Sequence, residues 1–326
     1  MKVLVTGATG FLGGWLVRRL LDEGHDVRII KRPNSSLEEL TGLKLDIVPG
    51  DVTDRESLVA ASRGVDTVFH LAGLIGYSRA QRNAMELINV GGTKNVIEAC
   101  EINSVRKLVY LSSVVAIGAS FDKTPLNEDS PYNVSHLHLG YFDTKHDAET
   151  LVRAACENKR IDAVMVNPST IYGPADAKKG SRGAQLKVAR GKLPFYPPGG
   201  VSIVSVEDVV DSIIAVWNKG RTGERYIVSG ENLLLKDVFD IIADQAGVKP
   251  PSIALPRPAL FALGKIGDVM ESFGKKGPLN TENAWTSTLY HWFDSAKAQR
   301  ELGLKLKPAE YAISQSVRWM RDNGYL

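Results

Sequence analysis

The sequence predicts an α/β fold in which a doubly wound parallel sheet is joined to a smaller, interleaved C-terminal domain. Near the N-terminus an apolar strand runs directly into a glycine-rich turn and a helix. Strands and helices then alternate as far as about residue 167, a rhythm typical of a parallel sheet with helices on both faces. After Pro174, clusters of proline, glycine and basic residues break this rhythm and indicate excursions away from the sheet.

The first element is a strand, a turn and a helix. Apolar residues at 3–5 favour a strand, helical spacing begins at Trp15, and the glycines between them are Gly7, Gly10 and Gly13. Such glycines permit unusual backbone angles, close approach to a pyrophosphate and close helix–strand packing. The free amides at the helix start favour an anion, and no lysine follows as in a nucleotide-triphosphate loop. This stretch predicts a Rossmann-like dinucleotide-binding domain.

The end of the second strand bears on the choice of dinucleotide. Asp26–Lys31 predicts this strand, and Arg32 follows it where NAD-binding folds carry an acidic residue. A guanidinium at this position can pair with the 2′-phosphate of NADP. We therefore expect NADP (NADPH) as the cofactor, with NAD as the less favoured alternative. The structural alternative is a solvent-exposed arginine at a strand end.

The remaining elements of the sheet follow in order. Thr53 or Asp54 can cap the helix after the third strand. Strands are predicted at Asp46–Pro49, 67–71, Lys107–Leu111 and 163–167, and the longer helices at 80–100 and 139–155.

The C-terminal half predicts a second domain that is not simply appended. We expect an NADP-binding domain over residues 1–174 and a mainly substrate-binding domain over residues 175–326. The chain is expected to return to the first domain at about 203–230, through a strand at 203–206 and a helix at 207–217. The apolar stretch 253–273 is interrupted by prolines and charges. It predicts a lid or wall of the substrate pocket, with contact to a membrane interface as the lesser alternative.

Composition excludes several classes of function. Forty Lys and Arg against 37 Asp and Glu leave no basic excess that would call for nucleic acid. No apolar run reaches the roughly 20 residues that span a bilayer. The first strand begins directly after Met1, so no signal peptide is expected. We therefore expect a cytoplasmic protein without a membrane span.

Cysteine and histidine usage predicts neither a redox pair nor a metal site. Cys100 and Cys156 lie far apart on predicted helices, without the spacing of a redox motif. His136 and His138 lack a third ligand at suitable spacing, so no metal is expected. They stand just before Tyr141 and are expected to line its pocket.

Tyr141 and Lys145 are the candidates for chemistry, because i, i+4 spacing places both on one face of the helix over 139–155. A free phenol titrates near about pH 10, and a neighbouring ammonium lowers that pKa toward neutrality. Tyr141 would donate a proton to a carbonyl oxygen as hydride reaches the carbon. Ser112 and Ser113 lie at the carboxyl end of the preceding strand, where open α/β sheets place their ligands, and a hydroxyl there can bond the substrate oxygen.

A series of motifs occurs in order along the chain. They are Thr6-Gly7-Ala8-Thr9-Gly10-Phe11-Leu12-Gly13, Asp51-Val52, His70-Leu71-Ala72-Gly73, Asn89-Val90, Tyr110-Leu111-Ser112-Ser113, Tyr141 with Lys145, the segment 167–174, and the tail 293–303. This set resembles that of the extended short-chain dehydrogenases/reductases, the superfamily of NAD-dependent epimerases and dehydratases, over nearly the whole chain. The chain is most similar to the dihydroflavonol-4-reductase-like branch, which includes hopanoid-associated sugar epimerases. Arg32-Pro33 and the segment 223–227 fit that branch.

The resemblance implies catalytic roles for Ser113, Tyr141 and Lys145, and it favours Ser113 over Ser112. It also implies a homodimer in which the helices at 80–100 and 139–155 form the contact. With Arg32 included, the expected cofactor-binding residues are Gly7, Thr9, Gly10, Phe11, Leu12, Gly13, Arg32, Asp51, Val52, Leu71, Ala72, Gly73, Asn89, Tyr141, Lys145 and Pro168.

Departures from the motif set separate two enzyme functions. Nucleotide-sugar epimerases usually hold the pyrophosphate with two arginines and carry a third before the asparagine matched by Asn167. The corresponding residues here are Val201, Ala284 and Val166. These departures favour NADPH-dependent reduction of a ketone or aldehyde over epimerisation or dehydration of a nucleotide-linked sugar.

Two further interpretations stay open. A basic run could supply substitute charges for a nucleotide sugar, but it is more typical of a solvent-exposed face: Lys178, Lys179, Arg182, Lys187, Arg190 and Lys192. A dinucleotide-sensing module without catalysis is the third function class. The intact serine, tyrosine and lysine argue against it, because a sensor has no need of a proton donor.

Overall fold

The elements of the chain are given by a computed structural model that describes residues 1–178, 182–275, 277 and 279–326. The strands are β1 (Lys2–Thr6), β2 (Asp26–Lys31), β3 (Asp46–Pro49), β4 (Thr67–His70), β5 (Lys107–Leu111), β6 (Ala163–Pro168), β7 (Thr170–Tyr172), β8 (Phe195–Tyr196), β9 (Gly200–Ser205), β10 (Arg225–Val228), β11 (Glu231–Leu234), β12 (Ile253–Ala254) and β13 (Tyr290–His291). The helices are α1 (Phe11–Asp22), α2 (Arg55–Ala61), α3 (Arg82–Met85), α4 (Gly92–Ile102), α5 (Gly140–Glu157), α6 (Gly183–Ala189), α7 (Val206–Lys219), α8 (Leu235–Ala246), α9 (Arg257–Ser272), α10 (Thr281–Thr286), α11 (Ala296–Leu302) and α12 (Ala309–Asp322).

Seven strands form one sheet in the order β3-β2-β1-β4-β5-β6-β10, and every pairing in it is parallel. The chain builds this sheet outward from β1 in one direction and from β4 in the other. The crevice at the carboxyl ends of β1 and β4 is therefore the switch point at which such sheets bind ligands. The doubly wound α/β fold predicted from the sequence is confirmed.

The two faces of the sheet are covered by different helices. Val3 and Val5 pack with α1, α7 and α11, whereas Leu4 between them packs with α2, α4 and α5. This alternation follows from the two-residue period of a strand. Because both faces are buried, the strands are almost wholly apolar, and the carboxyl edge is where polar side chains gather.

A second sheet lies outside this core. In it β9 pairs with β7, β11 and β13. The strand expected at 203–206 thus belongs to the second sheet, and α7 together with β10 is what returns to the main sheet. Hydrophobic pattern alone does not name a strand's partners, and the position next to β6 is taken by β10.

Local sequence signals predict the bounds of several elements in the first half of the chain. The bounds of β2, β3 and β5 coincide with the predicted ones, and Asp54 caps α2 by accepting hydrogen bonds from the amides of Glu56 and Ser57. The helix expected at 80–100 is instead divided by a π-helical turn, Glu86–Gly91. In the part of the chain that the structure describes, no helix has the length and hydropathy needed to cross a membrane.

Candidate active site

The glycine-rich turn between β1 and α1 is packed tightly against the end of the sheet. Gly7 has a positive φ of 72°, and a Cβ there would lie 2.6 Å from the backbone nitrogen of Ala72. A Cβ at Gly13 would lie 2.1 Å from the carbonyl oxygen of Gly7. Both positions therefore exclude side chains, as expected where turn, helix and strand meet closely.

The start of α1 has the form of an anion site. Gly10 is the N-cap residue and presents no side chain toward the first helical turn, while Thr9 before it is half-buried. The amides of Phe11, Leu12 and Gly13 have no partner within the helix. With no Cβ at Gly10, these amides and the helix dipole can meet a pyrophosphate. The residues present thus fit the phosphates of a dinucleotide.

A cavity of about 660 Å³ opens beyond the ends of β2 and β3. Arg32 lines it and is exposed, and among the described residues its guanidinium has no hydrogen-bond or ion-pair partner. Asp51 also lines it, and its Oδ1 accepts hydrogen bonds from the amide and hydroxyl of Thr53. Val52 is buried at the N-terminal end of α4, against Gly92. The cavity has the position and polarity that the adenosine half of a dinucleotide requires.

The segment after β4 is fixed to the glycine turn from one side and to α5 from the other. The amides of Leu71 and Ala72 donate to the backbone oxygen and the hydroxyl of Thr6, at 3.2 Å each. Asn89 accepts from the amide of Leu74 at 2.7 Å and donates to the Leu74 carbonyl and the hydroxyl of Thr144. Because these bonds occupy its amide, Asn89 holds this segment, including Gly73, in place.

Ser113, Tyr141 and Lys145 converge at the ends of β5 and α5. Ser113 follows β5, accepts a hydrogen bond from the amide of Val115 at 3.4 Å and lies beside the Tyr141 hydroxyl. Tyr141 is the second residue of α5, and Lys145 lies one turn later. Ser112 is buried, and among described atoms its Oγ has no partner. The geometry brings together the three residues that the sequence favours.

Burial dominates the titration of these groups. It raises the pKa of Tyr141 above its ordinary value of 10, with a further rise from Tyr77 and an opposing effect of the Ser113 hydroxyl. Burial also lowers the pKa of Lys145 to about 8, against the opposing charge of Glu149. The expected lowering of the phenol pKa by Lys145 is not observed, because that ammonium donates elsewhere. Tyr141 therefore holds its proton at neutral pH.

Lys145 is anchored from behind by a buried chain of polar side chains. Its Nζ donates to the carbonyl of Leu111 at 2.8 Å and to the hydroxyl of Tyr110 at 3.2 Å. Thr93 lies beside the Tyr110 hydroxyl and contacts Nε2 of His70 at 3.2 Å. Nδ1 of His70 meets the Thr6 hydroxyl at 2.7 Å. Burial lowers the pKa of His70 to about 3, so a neutral imidazole links the lysine to the glycine turn.

A second buried network holds the backbone of Ser113. Asn167 donates to the Ser113 carbonyl at 3.0 Å and to Glu149 Oε2 at 2.6 Å. Glu149 also forms an ion pair with Arg225 at 3.0 Å, and both side chains are nearly inaccessible. Glu149 is a positioning residue that the sequence motifs do not single out, although its i, i+4 spacing from Lys145 places it on the same helix face.

Aromatic side chains cover the approach to Tyr141. The ring of Tyr77 lies 6.1 Å from that of Tyr141, and Trp285 packs in the same cluster. Phe261 of α9 meets Trp285 edge to face at 4.8 Å. Asn280 donates to the backbone of Tyr77. The stretch predicted to form a lid or wall therefore lies over the catalytic candidates.

The two histidines expected to line the pocket lie at the surface instead. His136 and His138 are exposed rather than lining the pocket, and His136 stacks on Phe121. Pro168 is buried at the end of β6. The described residues hold no group of three His, Cys, Asp or Glu side chains that could bind a metal.

Among the described side chains of the basic run, Arg182 turns inward. Arg182 donates to the carbonyl of Ile171, lies 4.5 Å over the ring of Tyr172 and is 3.9 Å from Asp176. The exposed members are Lys187, Arg190 and Lys192, and Lys179 lies outside the described residues. The expectation of a solvent-exposed face is thus wrong for Arg182, because an acidic partner and a tyrosine ring hold it inside.

A doubly wound sheet with this glycine turn, and with serine, tyrosine and lysine side chains at its carboxyl edge, defines the class of NAD(P)-dependent enzymes. The model of the NAD dependent epimerase/dehydratase family matches residues 3–229. The chain belongs to this family, within the extended short-chain dehydrogenases/reductases.

Curated and solved relatives agree with this membership. A dihydroflavonol 4-reductase-like protein of Synechocystis sp. is 32% identical over 329 residues, covering 99% of this chain and 95% of the relative. Sterol demethylase protein B of Methylococcus capsulatus is 30% identical over 337 residues, covering all of both chains. The crystal structure of gox2253 is 34% identical, has a TM-score of 0.89 and covers 100% of this chain and 99% of its own.

Proposed function

We propose that the chain is an NADPH-dependent reductase of a ketone or aldehyde, with Tyr141 as the general acid. The convergence of Ser113, Tyr141 and Lys145 beside the switch point of the sheet carries this proposal. When bound, the cofactor supplies hydride. The side chains of the protein orient the carbonyl, exclude water and deliver a proton.

The three side chains divide this work. Ser113, held through its backbone by Asn167, bonds the carbonyl oxygen and orients it toward the Tyr141 hydroxyl. Tyr141 is protonated at neutral pH, as a donor in the reducing direction must be, and passes its proton to that oxygen. Lys145 uses two of its three ammonium donors on Tyr110 and Leu111, and the third is available to a ribose hydroxyl.

The exposed guanidinium of Arg32 supports NADPH over NADH. It lines the cavity beyond β2 and has no competing acidic partner among the described residues. A 2′-phosphate there would gain a charge-assisted, bidentate hydrogen bond.

Reduction is favoured over nucleotide-sugar chemistry by the residues at the diphosphate positions. Val201 and Ala284 offer no charge, and Ala284 is fully buried. Arg182, the cation of the basic run that lies inside, is already paired with Asp176 at 3.9 Å. The Synechocystis relative, a dihydroflavonol 4-reductase-like protein, supports the same choice. We further propose that residues 175–326 supply most of the substrate contacts and that the protein is a cytoplasmic homodimer through α4 and α5.

The test is Tyr141→Phe, assayed with NADPH against a panel of ketones and aldehydes. Loss of general acid catalysis is expected to lower turnover at least about 100-fold, with NADPH affinity unchanged. Tyr311→Phe, which removes a hydroxyl bonded to Glu207, is the matched control. Undiminished turnover of Tyr141→Phe contradicts the assigned role. Tight uridine diphosphate binding without carbonyl reduction would instead favour the nucleotide-sugar reaction.

A further inference from the structure

The outer face of α9 carries an exposed apolar stripe. Ala262, Ile266, Val269 and Phe273 follow one another at intervals of four, three and four residues, so they lie on one side of the helix. Ile266 is 54% exposed, Val269 58% and Phe273, directly after the helix, 77%. Leu263 borders this stripe and is also exposed. An exposed run of this kind marks an interaction surface.

The opposite face of α9 is the one that packs on the protein. A Cβ at Gly267 would lie 1.7 Å from the carbonyl oxygen of Leu279, and one at Gly264 would lie 3.1 Å from the backbone of Asn280. Phe261 packs on Trp285 from the same side. The stripe is therefore not needed to pack α9 on the protein, because the opposite face of this helix is already buried.

The charges of α9 are sorted between these two faces. Asp268 accepts hydrogen bonds from the amide and hydroxyl of Thr281, and Glu271 accepts from Ser78 and Asn280. Both acidic side chains therefore face the protein. The exposed charged residues beside the stripe are Lys265 and Lys275, whereas Arg257 at the start of the helix donates to the carbonyl of Thr288. The described outer surface here is apolar and cationic.

The apolar surface continues into the strand before the helix. Ile253 of β12 is 51% exposed and stands in register with Phe195 of β8, which is 41% exposed. Pro256 lies between this strand and α9, and Pro258 is the second residue of the helix. Exposed apolar side chains therefore occur on a strand pair as well as on the helix that follows it.

We propose that α9, with the β8–β12 pair, docks this enzyme on the surface of an anionic phospholipid bilayer. The apolar stripe enters the boundary between headgroups and acyl chains, and the flanking lysines meet lipid phosphates. A second copy of the chain fits this surface less well, because an isologous contact brings like charges of Lys265 and Lys275 together. The proposal is independent of the reaction that the enzyme catalyses.

The experiment is co-sedimentation of the full chain with vesicles. Vesicles of phosphatidylcholine mixed with phosphatidylglycerol are expected to bind the protein, with weaker binding to phosphatidylcholine alone and at high salt. Ile266→Ser and Phe273→Ser are each expected to lower the partition coefficient about tenfold. Lys265→Glu with Lys275→Glu is expected to remove the preference for the anionic lipid.

Ile47→Ser is the matched control, because Ile47 is 44% exposed on β3, away from the stripe and from the helices of the proposed dimer contact. This control binds vesicles like the wild type, and all variants keep the wild-type melting temperature and dinucleotide affinity. Absence of wild-type binding to anionic vesicles, or equal losses in Ile47→Ser and Ile266→Ser, overturns the proposal. So does a change of Ile266→Ser from dimer to monomer in sedimentation velocity without a change in vesicle binding, which would assign the stripe to a second copy.

Discussion

Burial of the charged Lys145 side chain lowers the stability of the folded protein, and Lys145→Met measures this loss of stability. The side chain is only 5% exposed, and its pKa falls from the ordinary 10.5 to about 8 because the charge is desolvated. At about 1.4 kcal/mol for each tenfold change in proton affinity, this drop corresponds to about 3 kcal/mol. Methionine has a similar length and does not titrate, so the pair of proteins isolates the ammonium.

The sign follows from which state holds the proton. Below pH 8 both the folded and the unfolded chain are protonated at Lys145, and the full cost of the buried charge is present. Between pH 8 and 10.5 the unfolded chain keeps the proton that the folded chain has released, so the stability of the wild type rises relative to Lys145→Met. The free energy of unfolding of the wild type, minus that of the variant, should increase by about 3 kcal/mol across this range.

Urea unfolding of the cofactor-free proteins at a series of pH values provides the measurement. Lys192→Met removes an exposed lysine and controls for the loss of one surface charge. A difference between wild type and Lys145→Met that stays flat, or falls, as pH rises would refute the reasoning. Carbonyl reduction by Lys145→Met should be lost even where the variant is the more stable protein.

Three more predictions concern the cofactor and the groups behind the lysine. Arg32→Ser should weaken NADPH binding about tenfold and leave NADH binding unchanged in a fluorescence titration; equal effects on both would remove Arg32 from the 2′-phosphate site. Tyr110→Phe takes away the hydroxyl that positions Lys145, and should lower kcat about tenfold and shift the pH–rate profile while KM stays the same. An unshifted profile would leave Tyr110 with a purely structural role. Gly13→Ala should destabilise the protein by about 1–3 kcal/mol in urea unfolding, because its Cβ meets the backbone of the glycine turn. Gly183→Ala, with open space around it, is the control, and equal stability of the two variants would contradict the packing argument.

Much of the first half of the fold could be predicted because its signals are local. The glycines, the apolar runs of β2 and β5 and the capping aspartate each act within a few residues of themselves. The same holds for Tyr141 and Lys145, which one helix brings together by spacing alone. Ser113 could be expected at the end of β5, since the carboxyl edge of a parallel sheet is where ligands bind.

What escaped prediction depends on partners distant in sequence. β9 carries a convincing strand pattern, but its pairing with β11 and β13 is decided by tertiary packing. Arg182 has the sequence context of an exposed run, and only the fold shows that Asp176 and Tyr172 enclose it. The buried hydrogen bonds of Lys145 likewise run to β5 and were invisible in the helix pattern.

The π-helical turn at Glu86–Gly91 changes the direction in which side chains point along one continuous helical stretch. Each residue of an α-helix advances the side chain by about 100°, so one residue more or less re-aims everything that follows. Before the turn, Met85 approaches Gly140; after it, Thr93 reaches Tyr110 on the neighbouring strand. Deletion of one residue here would restore regular α-helical hydrogen bonding. It would also rotate the side chain of Asn89 away from Leu74. The π-helical turn therefore allows one helical stretch to contact two different parts of the protein.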